Sequence, residues 1–332
     1  MRAAVWFTLL AASACDRGPT RDKVAPPPPP LPAESSAAPS PAARAGGPRC
    51  ELPEVPLRVA APGRLVAIGD LHGDLAAARA ALRAAGAIDD ADRWIGGDLV
   101  VVQTGDVLDR GDDEQAILDL LFRLEGEAKA AGGAMVLLLG NHELMNGAGD
   151  LRYVTPGGMR DFDDVPGLDT ARWAELPEPV RGRIAALTPG GVYAKKLARN
   201  NIVAIVGDTV FSHAGVVGAW AQRLDEVNAS SRCWLDGQAG GPEAPPEALT
   251  AQDSPVWTRA LGGDTVDCDG VRATLATLGA KRMAVGHTIQ PSINAVCDGL
   301  VWRIDVGMSR AYGGPVEILE LQPTPRVIRT ER

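Results

Sequence analysis

The stretch LLLGNHE, residues 137–143, carries three leucines into a glycine and then sets an amide, an imidazole and a carboxylate side by side. An apolar run that stops at glycine and polar residues reads as the carboxyl end of a buried strand. In an α/β sheet, that is the edge where ligands bind. The chain has only four histidines, His72, His142, His213 and His287, so the positions of the other three decide the reading. His72 lies in GDLHGD (69–74), His213 in SHAG (212–215) and His287 in GHT (286–288), each directly after an apolar run. A fifth motif, GDVLDRG (105–111), has no histidine but contributes Asp106, Asp109 and Arg110.

Working outward, RLVAIGD (64–70), DLVVVQTGD (98–106) and AMVLLLGN (134–141) predict three strands. Between them, the alanine-rich 75–87 and the amphipathic 114–132 predict helices. A β-α-β-α-β order implies a largely parallel sheet covered by helices, so the class is α/β. Residues 201–215 read as a hairpin turning at Asp208-Thr209, and RMAVGHT (282–288) as a further strand. AVCDGLVWRIDVGMS (295–309) and GPVEILEL (314–321) read as antiparallel strands closing a second sheet. The Gly-, Pro-, Asp- and Trp-containing segment 147–190 reads as a possible cap.

This topology brings Asp70, His72, Asp106, Asp109, Arg110, Asn141, His142, His213 and His287 toward one edge. Any one of these motifs alone is ordinary turn chemistry. Five in order, absorbing every histidine, are not. Carboxylate, amide oxygen and imidazole suit hard or borderline divalent ions, with no thiolate to demand a softer one. A carboxylate such as Asp106 can bridge two such ions about 3.5–4 Å apart over a phosphoryl group.

GDLHGD, GDVLDRG and GNHE, followed by SHAG and GHT, resemble the phosphoprotein phosphatase branch of the calcineurin-like metallophosphoesterases. The tail 285–309 is similar to that of the Shewanella-like protein phosphatases. The resemblance covers about residues 66–321 and is specific because the motifs occur together and in order. It implies a sandwich of two mixed β-sheets flanked by helices. It also implies two divalent metal ions, manganese foremost, with iron, zinc or cobalt as alternatives. Asp70, His72 and Asp106 would hold one; Asp106, Asn141, His213 and His287 would hold the other. His142 is implied as the general acid, polarised by Asp109, and Arg110 as a bidentate grip on the phosphate. Arg259, in SPVWTR (254–259), is implied as a second phosphate-binding arginine; a surface ion pair is its alternative. Glu143 and Asp74 are expected to support ligands or backbone rather than to catalyse.

The reaction so implied is one-step hydrolysis of a phosphomonoester on protein tyrosine, serine or threonine by a hydroxide bridging the metals. Where the Ser/Thr enzymes of nucleated cells carry a signature loop, MSRAYGG (308–314) stands instead, which separates this chain from their substrate preference. Two other readings stay open. One is a pyrophosphohydrolase of the diadenosine-polyphosphate type, with segment 147–190 as the discriminating pocket mouth. The other is a tethered binding lipoprotein on a catalytically dead fold, against which stands the presence of every ligand position.

The rest of the chain sets the context. Its 332 residues are 45% hydrophobic but only 4% aromatic, so Ala, Val and Leu must build the core. A net charge of -9 without a basic run favours neither nucleic acid nor an anionic membrane as partner. Residues 1–14 read as a signal peptide: Arg2, then an apolar stretch too short to span a bilayer. AASAC (11–15) resembles a bacterial lipobox, which would place lipid on Cys15; a plain secretory signal is the alternative. The Pro/Ala-rich 15–49 cannot bury enough apolar surface to fold and reads as a disordered linker. The catalytic domain is then 50–332, in an exported lipoprotein on the periplasmic side whose membrane contact is the lipid alone. Cys50, Cys233, Cys268 and Cys297 are even in number and allow two disulfides in any of three pairings, or four free thiols.

Overall fold

The computed structural model describes residues 50–332; the signal stretch, Cys15 and the linker lie outside the described residues. The described residues form one unit. Its elements begin with β1 (Arg58–Val59), β2 (Leu65–Ile68), α1 (Leu75–Ala84), β3 (Val100–Gln103), α2 (Glu114–Ala130) and β4 (Ala134–Leu137). Next come α3 (Asn141–Gly147), α4 (Glu178–Leu187), α5 (Val192–Leu197), β5 (Val203–Val206) and β6 (Thr209–Ser212). After α6 (Leu224–Asp236), α7 (Glu247–Thr250) and α8 (Cys268–Leu278), the chain ends with β7 (Arg282–Val285), β8 (Asn294–Val296), β9 (Val301–Arg303), β10 (Val316–Gln322) and β11 (Arg326–Thr330).

The strands form two mixed sheets, ordered β11-β10-β2-β3-β4 and β1-β5-β6-β7-β9-β8. In the first, β2, β3 and β4 run parallel; in the second, β6, β7 and β9 do. Each strand of β2, β3, β5 and β6 is buried along its whole length, which explains continuous apolar runs rather than alternation. One hydrophobic core joins residues of both sheets, from Val66 and Val101 to Phe211 and Ala284. Alanine serves it well: α1 packs over β10 and β11 through Ala77, Ala78 and Ala81, side chains small enough for close approach. Asp74 starts that helix by accepting the Ala77 N–H at 3.0 Å, satisfying a donor the helix cannot.

GPVEILEL departs from the sequence expectation. It does not close the second sheet: β10 pairs antiparallel with β2 in the first, with β11 outside it. The reason is burial of its charge. Glu317 and Glu320 are both only 2% exposed, Glu317 bonded by Arg329 and Glu320 by Arg64 and Arg326. These arginines let a glutamate-bearing strand lie within the first sheet, between β2 and β11. The strands of 295–309 do pair antiparallel in the second sheet, as β8 and β9.

The cysteines pair as Cys50–Cys233 and Cys268–Cys297. The first ties the entry to the domain onto α6 across a separation of 183 residues. Replacing Cys50 and Cys233 together by serine is expected to cost about 2–4 kcal/mol of stability, because a long loop is released in the unfolded chain. Turnover should not change, as neither cysteine lines the site described next. Chemical denaturation and an activity assay on the same sample check both halves, and a loss of turnover without a loss of stability would contradict them.

Candidate active site

The parallel strands of each sheet deliver their carboxyl ends to a shared edge. Beyond β2 lie Asp70 and His72, beyond β3 Asp106, Asp109 and Arg110, and at the turn from β4 into α3 Asn141 and His142. From the second sheet, His213 follows β6 and His287 follows β7. Asp70, His72, Asp106, Arg110, Asn141, His142, Arg259 and His287 line one cavity of about 300 Å³. His213 lies beneath it, fully buried. Every residue singled out in the sequence for this site is therefore at or directly behind one cavity, with Asp109 behind His142.

The backbone is bent to achieve this. His72, Asp106, Asp109, Arg110 and His287 all have φ between 44° and 68°, a left-handed conformation that costs non-glycine residues energy and concentrates at functional sites. The Glu143 carboxylate holds the bend after β3 by accepting N–H groups of Asp106 at 2.9 Å, Val107 at 2.9 Å and Gly140 at 2.7 Å. Asp74 likewise supports backbone, accepting the Arg310 N–H at 2.8 Å. The glycines before Asn141 and His287 are required by close approach. A Cβ on Gly140 would lie 2.1 Å from Asp106 Oδ1, and one on Gly286 would lie 2.3 Å from Asp70 Oδ1. Gly286→Ala is thus expected to push the Asp70 carboxylate aside, weakening metal affinity about 10–100-fold as for other disturbed ligands. Metal titration of the folded variant checks this; an unchanged affinity would contradict it.

The donors fit divalent cations. His72 Nδ1 donates to the Leu108 carbonyl at 2.9 Å and His213 Nδ1 to that of Thr104 at 3.0 Å, which leaves Nε2 of each ring as the nitrogen available to a cation. His72 Nε2 faces Asp106 Oδ2 at 3.7 Å. His213 Nε2 faces Asp106 Oδ2 at 3.2 Å, Asn141 Oδ1 at 2.9 Å and His287 Nδ1 at 3.1 Å. Acceptors aimed at acceptors are resolved by a cation between them. Among the described residues, His287 Nε2 is buried without a hydrogen-bond partner. Two groups of convergent donors result, His72–Asp106–His142 and Asp106–His213–His287, sharing Asp106.

Charge separates the histidines by role. Burial, then the neighbouring His142, pushes His72 down to about 4. Burial, then His213 and Arg259, pushes His287 down to about 2. Both are neutral rings suited to ligation. In His142 burial is outweighed by the carboxylates of Asp106 and Asp109, which raise its pKa. His142 Nδ1 meets Asp109 Oδ2 at 2.5 Å, while its Nε2 lies 3.7 Å from Asp106 Oδ2. Distance alone would admit His142 as a ligand; its bond to Asp109 and its raised pKa set it apart. Burial, then Asp305 and Asp106, holds Asp70 well above the usual carboxylate range. Such crowded carboxylates ask for positive charge.

Arg110 points its guanidinium between two tyrosine rings, 4.4 Å from Tyr153 and 5.1 Å from Tyr312. Arg259 donates to the His287 carbonyl at 3.3 Å and to Thr288 Oγ1 at 3.2 Å, so it sits at the cavity rather than in a surface ion pair. Several cavity residues were not read from the sequence. Asp305, buried and lifted to about 6 mainly by that burial, follows β9 as Asp70 follows β2; the same strand-then-Asp signal in WRIDVG would have found it. Tyr153, Trp257 and Tyr312 also line the cavity. Tyrosine is scarce in this chain, with three in all, and that scarcity was the available signal.

Comparison with known proteins agrees with this geometry. Residues 63–291 match the calcineurin-like phosphoesterase family. The chain is similar to Shewanella-like protein phosphatase 2 of Arabidopsis thaliana, 42% identical over 296 residues, covering 79% of this chain and 75% of that protein. It is 29% identical to Shewanella-like protein phosphatase 1 of Plasmodium berghei, covering 76% and 70%. Its fold is similar to that of the cold-active protein-tyrosine phosphatase of a psychrophilic Shewanella species, with a TM-score of 0.64, 26% identity, and 83% and 80% coverage. The chain belongs to the calcineurin-like phosphoesterase family.

Proposed function

We propose that the protein is a dinuclear, metal-dependent phosphatase that hydrolyses phosphomonoesters on protein, with phosphotyrosine the favoured substrate. The observation that carries this is the meeting, in one cavity, of a cation-ready donor cluster, a His–Asp pair and an arginine. Asp70, His72 and Asp106 would hold one ion, and Asp106, Asn141, His213 and His287 the other. Bound there, divalent ions, manganese foremost, would supply Lewis acidity and a water that ionises near neutral pH.

The chain's own groups do the rest. Arg110 binds the phosphate oxygens as a planar fork, held in place by the faces of Tyr153 and Tyr312. Arg259, across the cavity, adds a second positive charge. His142, kept protonated by Asp109, gives its Nε2 proton to the leaving oxygen. Glu143 fixes the turn into α3 that aims it. The aromatic walls formed by Tyr153, Trp257 and Tyr312 support an aryl substrate, as does the similarity to a tyrosine phosphatase.

Turnover of a phosphotyrosine peptide, a phosphoserine peptide and a dinucleoside polyphosphate by the manganese-loaded protein tests this reading. The peptides should be hydrolysed, phosphotyrosine fastest; turnover of the dinucleotide alone would replace the reading with a pyrophosphohydrolase. We further propose export to the periplasmic side as a lipoprotein. The two disulfides support an oxidising compartment, and the mass of the mature N-terminus tests the lipid on Cys15.

A further inference from the structure

We propose that Arg183, which touches neither cavity nor metal ligand, is a positioning residue for the general acid, so that the 147–190 segment sets the efficiency of leaving-group protonation. This rests on the assignment of His142 and Asp109 above. Arg183 is fully buried on α4, and every N–H of its guanidinium is used. Nε donates to Asn146 Oδ1 at 2.9 Å, Nη1 to Glu114 Oε2 and to the Gly158 carbonyl at 2.8 Å, and Nη2 to Glu114 Oε1 at 2.9 Å and Asp109 Oδ1 at 3.0 Å.

Glu114 alone would balance the charge of a buried arginine through its fork. The further bond to Asp109 is the informative one. Asp109 Oδ2 belongs to His142, and Oδ1 is clamped by Arg183 and by Asn146 Nδ2 at 2.9 Å. A carboxylate anchored at one oxygen cannot rotate, so the other stays in line with the imidazole. Asn146 also donates to the His142 carbonyl at 2.9 Å. Arg183 reaches Asp109 a second way: Glu114, which it holds, accepts the backbone N–H of Asp109 at φ +68°. The guanidinium therefore fixes the acid's partner at side chain and backbone together. Its positive charge also opposes the repulsion between Glu114 and Asp109. Phe162 covers the arrangement, its ring 5.5 Å from the guanidinium carbon.

The test compares metal-loaded wild type with Arg183→Met, Arg183→Lys, Asp109→Asn and His142→Asn on 2,4-dinitrophenyl phosphate and phenyl phosphate, whose leaving groups are good and poor. Arg183→Met is expected to lose about 10–100-fold in kcat on phenyl phosphate but less than about 3-fold on the dinitrophenyl ester, the selective loss of an impaired acid. KM and metal content should hold, Lys should restore part of the rate, and adding Arg183→Met to Asp109→Asn should cost little more, because the two act as one unit. An equal fall on both esters, metal loss in step with rate, or full additivity would make Arg183 a packing residue and overturn the proposal. If the Met variant does not fold, the Lys variant decides by the same ratio. If His142→Asn itself shows no leaving-group dependence, the acid assignment fails and takes this proposal with it. If only the Arg183 variants lack it, the positioning role fails alone.

Discussion

Asp106→Asn is expected to strip the protein of bound divalent metal and to lower turnover of aryl phosphates by about 10³-fold or more. The side chain is the shared member of both donor groups, and burial of its charge is outweighed by His213 and His142, which hold its pKa well below the usual range. Asparagine has the same shape and tolerates the φ of 56° at this position. The fold should therefore survive, and what disappears is the negative charge that both clusters share. Metal catalysis supplies several kcal/mol of charge stabilisation. At 1.36 kcal/mol per decade, about 4 kcal/mol corresponds to the stated loss. Elemental analysis and a rate on the folded variant check it, and retained metal with near-normal turnover would contradict the bridging role.

His142→Asn is expected to keep its metal and lose about 10²–10⁴-fold on substrates with poor leaving groups, and far less on activated ones. The geometry carries this prediction. One ring nitrogen is bonded to Asp109, the other faces the cavity, and the carboxylates of Asp106 and Asp109 outweigh burial to raise its pKa. Metal content separates this role from ligation, since loss of a ligand would empty the site. Measuring rate against leaving-group acidity settles the matter: equal loss across the series would remove His142 as the acid.

The candidate ligands were legible because metal chemistry restricts both residue type and place. Asp70, His72, Asp106, Asn141, His213 and His287 each stand just beyond an apolar run, and the glycines before Asn141 and His287 leave room for the carboxylates of Asp106 and Asp70. Such local rules can be read along a chain. Other features depend on what the chain meets after folding. GPVEILEL has the pattern of a strand for either sheet; it pairs with β2, where the arginines at 64, 326 and 329 meet its buried glutamates. Cysteine spacing permitted three pairings, and only the packing of α6 and of the β8–β9 hairpin selected two bonds.

The support of the acid was hidden for the same reason. Glu114 looks like an ordinary acidic first-turn residue of α2, and Arg183 like one of several arginines in a polar segment. Its spacing from Val180 and Leu187 places it on one helical stripe with apolar residues, a faint signal that an arginine faced inward. Tyr153 and Tyr312 approach Arg110 from loops far apart in sequence, and no periodicity predicts that meeting.

Metal binding tests the central claim most directly. Metal-free protein titrated with manganese, with bound ions counted and p-nitrophenyl phosphate turnover followed in the same samples, should take up two ions per chain and gain activity as the second is bound. A protein that binds no divalent transition ion, or whose turnover is indifferent to the ions it binds, would contradict the account.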